Sequence, residues 1–178
     1  MKLLLHTCCA PCLTYSAKVF EEEYEEITAF WFNPNIHPFK EYERRYKALE
    51  EYENKTDIDV FYLDDYSLKR FLEGAMRSDP RCKFCYELRL GKTAKIAAKR
   101  GFDHFSTTLT ISPYQDHELI KEVGKRMGKE EGIKFIYRDL RDGFSEHHKL
   151  ANEMGLYKQG YCGCIFSEKE RYHKELSE

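Results

Sequence analysis

Lys2-Leu-Leu-Leu-His6 runs straight into Thr7-Cys-Cys-Ala-Pro-Cys12: an apolar strand stops at a cysteine-rich turn and a helix begins. Three successive leucines without polar alternation are the pattern of a strand covered on both faces. Pro11 suits the first turn of a helix, where its missing N–H costs nothing, and it predicts a helix over 11–23. Farther out the alternation repeats. Strands are expected at 27–32, 60–63, 105–107 and 135–137, with helices at 38–54, 67–76, 83–99, 112–129, 145–154 and 167–176. Asn33-Pro34-Asn35 and Ser78-Asp79-Pro80 are breaks, and Ser112-Pro113 is read as a helix opening. Strands separated by helices imply an α/β fold, a parallel sheet with helices on both faces. Without repeats or a linker, residues 1–178 are expected to form a single α/β domain. In such sheets ligands bind beyond the carboxyl ends of the strands, where strand order reverses. The cysteines that follow the first strand sit at that address.

The 178 residues are 42% hydrophobic and 15% aromatic, enough for a packed core, so wholesale disorder is excluded. A net charge of −2 means that any nucleic-acid partner has to be met by a local patch. The apolar start is three leucines long, far short of a signal-peptide core, and no run approaches a bilayer span. A cytoplasmic protein without a membrane partner is expected, and in that compartment thiols stay reduced unless they bind metal or do redox chemistry.

Seven cysteines stand in three tight clusters: Cys8, Cys9 and Cys12; Cys82 and Cys85; Cys162 and Cys164. Short spacing lets two thiolates reach one metal, and Gly163 relieves crowding in the last pair. Cys82 and Cys85 at a helix start are expected to gain thiolate character from the helix dipole. A four-thiolate structural zinc site uses four of the seven. A thioredoxin-like dithiol at Cys9 and Cys12 uses two. Four thiolates on an iron–sulfur cluster, with the remainder for a second metal or for catalysis, use all seven.

The strings His6-Thr-Cys-Cys-Ala-Pro-Cys12, Arg81-Cys-Lys-Phe-Cys-Tyr-Glu-Leu-Arg-Leu90, Thr107-Thr-Leu-Thr-Ile-Ser-Pro-Tyr114 and Tyr161-Cys-Gly-Cys-Ile-Phe-Ser167 resemble the cobalamin-independent epoxyqueuosine reductases of the QueH type. Asn33-Pro-Asn-Ile36 and Asp139-Leu-Arg141 look like further blocks of that family, and the match runs in order over nearly the whole chain. The resemblance implies a HUP-type, adenine nucleotide hydrolase-like sheet. It implies an iron–sulfur oxidoreductase that reduces epoxyqueuosine to queuosine at the tRNA wobble position. The cofactors it implies are a [4Fe-4S] cluster and an adjacent mononuclear metal ion, iron by preference, held by two thiolates and a carboxylate. Its partners are tRNA carrying epoxyqueuosine and an electron donor that the sequence does not identify.

Cys8 or Cys9 is expected to join Cys82 and Cys85 on the cluster, with Cys162 and Cys164 completing it or holding the second ion; Cys12 is the remaining metal-binding cysteine. Asp139 is the first candidate for the carboxylate ligand and Asp64 the second, both near strand ends; helix capping or a surface charge is the ordinary alternative. Tyr161, with Tyr86 and Tyr114 beside the other motifs, offers a hydroxyl for proton donation or a ring for stacking. His6, inside a strand, reads as a packed core histidine. A tRNA surface is expected along Arg89, Lys92, Lys95 and Lys99, which recur at helical spacing; residues 81–100 carry seven basic side chains against the single acid Glu87. Two rival classes are a zinc-stabilised RNA-binding module and an ATP-dependent tRNA thiolase-like enzyme. The second is disfavoured, since Cys-Cys-Ala-Pro-Cys has no glycine with which backbone amides could wrap a phosphate.

Overall fold

The computed structural model describes residues 1–173. β1 (Lys2–His6) leads through α1 (Ala10–Phe20) to β2 (Glu26–Trp31), α2 (Phe39–Glu53) and β3 (Asp59–Tyr62). α3 (Leu68–Arg77) and α4 (Arg81–Arg100) carry the chain back to β4 (His104–Thr107), and α5 (His117–Glu131) leads to β5 (Lys134–Phe135). α6 (Phe144–Glu153) and α7 (Ile165–Tyr172) follow. Residues 174–176 of the helix expected over 167–176 lie outside the described residues.

All five strands are parallel, in the order β3-β2-β1-β4-β5. β1 is therefore central, with Leu5 opposite both Ala29 and Ser106. α1 packs on β2 and against α2 and α6, whereas α4 packs on β1 and β4 and against α3 and α5. Helices thus cover both faces, and Leu3, Leu4 and Leu5 are fully buried. Each such leucine contributes roughly 1.5–3 kcal/mol of burial. This is the α/β arrangement, a parallel sheet with helices on both faces, that the alternation of strands and helices implies. The chain fills one side of the sheet from β1 to β3, then crosses to pair β4 on the other side of β1. The order reverses between β1 and β4, so the crevice beyond their carboxyl ends lies between Thr7-Cys8 and Thr107-Thr108.

Three helix starts differ from the sequence expectation by two residues or more, α7 among them, since it opens at Ile165 rather than Ser167. The helix expected to open at Ser112-Pro113 begins at His117. Thr108–Ile111 is instead a 3-10 turn, and Asp116 is the cap, its carboxylate accepting the Leu119 N–H at 3.0 Å. An aspartate that satisfies an orphan amide is a firmer start than a proline that only tolerates one. α4 begins at Arg81 rather than Lys83, which places Cys82 in its first turn and Cys85 one turn on. Among the described residues, no helix is long and apolar enough to cross a membrane.

Candidate metal centre

The end of β1 brings three sulfurs together by backbone geometry alone. Cys9 is extended and caps α1, its Sγ accepting the Cys12 N–H at 3.4 Å. That cap aims Cys9 and Cys12 the same way, and Cys8 Sγ lies 3.8 Å from Cys9 Sγ. The three sulfurs lie within 4.8 Å of one another, all buried, and no other group of His, Cys, Asp or Glu among the described residues is so tightly placed. Thr108 Oγ1 stands 3.4 Å from Cys8 Sγ, and Gln159 Nε2 donates to Cys9 Sγ at 3.0 Å. The thiols of Cys12 and Cys9 hold Cys8 well below its ordinary pKa, whereas burial pushes Cys9 up and the neighbouring Cys8 and Cys9 push Cys12 up. Ionisation of one of these sulfurs thus opposes ionisation of the others. A metal cation is the natural complement of such a set, because it lets the other two ionise.

Beneath this turn, His6 is fully buried between Thr107 Oγ1 (2.9 Å) and Asn33 Oδ1 (3.2 Å). Burial and then the charge of Arg89 push it down to about 3, so it is a neutral strut joining β1, β4 and the loop after β2. The reading of His6 as a core histidine agrees with this placement.

The other four cysteines form a second, wider set. Cys82 and Cys85 on α4 lie within electrostatic reach of Cys162 and Cys164, and Cys85 and Cys164 share an apolar pocket with Phe71 and Ala75. Burial raises the thiols of Cys82 and Cys85, the latter to about 12, so desolvation outweighs the helix dipole that the sequence suggested. Arg89 donates to Cys85 Sγ at 3.1 Å, and Gln115 Nε2 donates to Cys162 Sγ at 3.2 Å. Cys162 is the one exposed sulfur. Cys8, Cys9 and Cys12 thus form one tight group, while Cys82, Cys85, Cys162 and Cys164 lie within electrostatic reach of one another.

A buried clamp fastens the loop that carries Cys162 to α2 and to residues 35–37. Arg45, 1% exposed, pairs with Glu41 at 2.6 Å and donates to the carbonyl oxygens of Tyr161 and Cys162, each at 2.9 Å. Glu41 also accepts the Tyr157 hydroxyl at 2.7 Å. The His37 N–H donates to the Gly163 carbonyl at 2.7 Å, and the Tyr161 hydroxyl donates to the His37 carbonyl. Gly163 has φ +147°, and a Cβ there would stand 3.2 Å from Asn35 and Ile36 and 3.3 Å from Arg45. Its glycine answers the loop's approach to Asn35-Ile36 rather than crowding between its cysteine neighbours.

The model of the family described as epoxyqueuosine reductase QueH matches residues 3–170. The chain belongs to this family.

Its relatives include the QueH epoxyqueuosine reductase of Dehalococcoides mccartyi, 38% identical over 99% of this chain and 97% of that one. The QueH proteins of Thermotoga maritima (35%, covering 98% and 95%) and Staphylococcus epidermidis (35%, covering 93% and 76%) are similar too. Among solved structures, a predicted subunit of a tRNA methyltransferase from Methanocaldococcus jannaschii superposes with a TM-score of 0.53 over all of this chain and 89% of that one. At 15% identity that likeness speaks for the fold alone.

Within this QueH chain the remaining sequence candidates fall in different places. Asp139 lies past β5, and among the described residues its carboxylate bonds only Arg141, at 2.5–3.1 Å. Asp64 is exposed and accepts the Tyr42 hydroxyl at 2.7 Å. Tyr86 is buried and donates to Gln115 Oε1 at 2.9 Å, whereas Tyr114 is 84% exposed. The expected cationic stripe is not one surface. Arg89 is buried against Cys85, Lys92 lies over the Phe32 ring, and only Lys95 and Lys99 project freely into solvent. Helical spacing gave the row but not the face it occupies.

Glu41, Arg45, Gln115 and Gln159 escaped the sequence reading. The Glu41/Arg45 spacing is a signal, but in a helix this charged an i,i+4 pair is usually a solvated one.

Proposed function

We propose that this chain is the epoxyqueuosine reductase its family name describes, working as one cytoplasmic domain over residues 1–178 with its metal site at the carboxyl ends of the strands. The reaction takes two electrons and two protons to the epoxide and yields the alkene of queuosine and water. The observation that carries the proposal is the tight buried group of Cys8, Cys9 and Cys12 at the switch point of the sheet, with Cys82 and Cys85 within electrostatic reach of Cys162 and Cys164. Ligands of one ion must crowd around one centre, whereas ligands of a four-iron cluster each bind a different corner and stand farther apart. Cys82, Cys85, Cys162 and Cys164 would hold the [4Fe-4S] cluster, and Cys8, Cys9 and Cys12 the mononuclear ion, with iron the preferred metal. When bound, the cluster supplies electrons one at a time and the ion supplies an electrophile.

The chain's own groups do the rest. Gln115 aims an N–H donor at Cys162 Sγ and Gln159 aims one at Cys9 Sγ. Exposed Cys162 marks the side open to substrate, while the buried Cys8, Cys9 and Cys12 exclude water. Tyr161 is the proposed proton donor, its hydroxyl held by the His37 carbonyl. Asp139 is the proposed carboxylate, and ligation requires it to leave Arg141. Substrate tRNA would reach the site from the Cys162 side, and the two electrons would come from a separate electron donor.

The test is anaerobic isolation with iron, zinc and sulfide quantified, followed by an assay on tRNA carrying epoxyqueuosine. About five iron and about four sulfide per chain, with turnover, is the expected result. Cys12→Ser should lower iron without lowering sulfide, and Cys85→Ser should lower both. A colourless protein with about one zinc and no sulfide after reconstitution overturns the proposal.

A further inference from the structure

Two arginines are buried in this chain to 1% exposure, and they are partnered differently. Arg45 faces the Glu41 carboxylate. Arg89 has no carboxylate within ion-pair distance among the described residues. Its Nη2 donates to Cys85 Sγ at 3.1 Å, its Nε donates to the Cys85 carbonyl at 3.3 Å, and its Nη1 is buried without a partner. The ionisable groups that act on it electrostatically include Cys85, Cys162, Cys8 and the Tyr86 phenol. A guanidinium stays charged at every physiological pH, and burying one without a counter-charge is costly. α4 nonetheless places it one turn after Cys85, pointing at the sulfurs rather than at water.

We infer that Arg89 is the counter-charge of the four-sulfur set, offsetting the negative charge that Cys82, Cys85, Cys162 and Cys164 take on when they hold a cluster, with Nη1 left as a donor to whatever those sulfurs bind. The inference rests on the proposed assignment of the cluster to these four cysteines. Arg89 is a positioning residue, acting through the sulfurs. A four-thiolate cluster is an anion in either redox state and one charge more negative when reduced, so a neighbouring cation favours the reduced form. In the metal-free protein no metal keeps the sulfurs ionised, and the same cation lacks its full partner.

Arg89→Met and Arg89→Lys, prepared anaerobically beside wild type, test this by redox titration of the cluster and by melting of the metal-free protein. Arg89→Met should shift the cluster potential to more negative values, Arg89→Lys should restore most of that shift, and metal-free Arg89→Met should melt no lower than wild type. Failure of Arg89→Met to assemble a cluster, with normal metal-free melting, supports the same role. An unchanged potential in Arg89→Met overturns it. So does a metal-free Arg89→Met that melts below wild type, which would assign Arg89 to packing. A wild-type chain that takes up no iron and sulfide overturns the cluster assignment itself and Arg89 with it.

Discussion

Cys8, Cys9 and Cys12 come from one strand-to-helix turn, whereas Cys82, Cys85, Cys162 and Cys164 come from a helix and a distant loop that meet only in the folded chain. The first set is ordered by local geometry, with Cys9 capping α1 and the sulfurs already within 4.8 Å. The second depends on Arg45, Glu41 and the loop residues Asn35, Ile36 and His37, none of which is a sulfur ligand. The two sets should therefore fail separately. If the four-sulfur set holds a cluster and the three-sulfur set an ion, as proposed, damage to the clamp should unload the former and spare the latter.

The largest effect is expected from Arg45→Met. It strands the buried Glu41 carboxylate and frees the Tyr161 and Cys162 carbonyls, which should cost about 3–5 kcal/mol in chemical denaturation. Sulfide should fall to near zero while roughly one iron per chain remains, the amount one mononuclear site holds. Adding Glu41→Gln should recover part of the stability. Equal loss of both metals would show that the sets are one unit and break the comparison.

Acid should load the strut beneath the first set. His6 is held at about 3 from an ordinary value of 6.5. The unfolded chain therefore binds a proton between these values that the folded chain refuses, and stability falls as pH drops below about 6.5. At pH 4 the loss from His6 is about 3 kcal/mol. His37, lowered to about 4 by burial, adds to it from the second region. Denaturation of the metal-free protein from pH 7 to pH 4 should show this slope, and His6→Gln should flatten it. An equal slope in that variant would remove His6 as the acid-sensitive strut.

Gly163→Ala should cost about 1–3 kcal/mol, since alanine has to adopt a strained φ. Its methyl would also press on Asn35, Ile36 and Arg45 at 3.2–3.3 Å, so sulfide content should fall with stability. Gly101→Ala is the control: φ is +73° there too, but a Cβ meets nothing within 4 Å, so about 1 kcal/mol is lost and both metals stay.

How far the sequence could be read follows the same division. β1 and the three-cysteine turn were legible because three leucines, a proline and close cysteines act over a few residues. The parallel sheet was legible from alternation, since each strand and helix carries its own period. The grouping of the second set was not, because it depends on Arg45 reaching across the fold to Tyr161 and Cys162. Arg89 was placed on a surface stripe because periodicity fixes neighbours and not orientation. Its position one turn after Cys85 was the available sign that it served the sulfurs. Ser112-Pro113 imitated a helix start, and the stronger cap was Asp116.

Asp139 gives the smallest stability effect and the sharpest use of the comparison. Arg141 holds its carboxyl at about 2, below the ordinary 3.8. A depressed folded value means that its contribution is present above about pH 3.8 and is lost as pH falls through about 2. The side chain is 41% exposed, so solvent screening keeps that contribution under about 1 kcal/mol. Asp139→Asn should therefore unfold at nearly the wild-type denaturant concentration at pH 7, with even that difference gone near pH 2. If the carboxylate serves the three-sulfur set, this almost undamaged protein should lose its turnover on epoxyqueuosine tRNA while keeping its sulfide. A variant that loses turnover without losing stability has lost chemistry rather than fold. Full turnover would leave Asp139 as the partner of Arg141 alone and the first set as a site of three sulfurs.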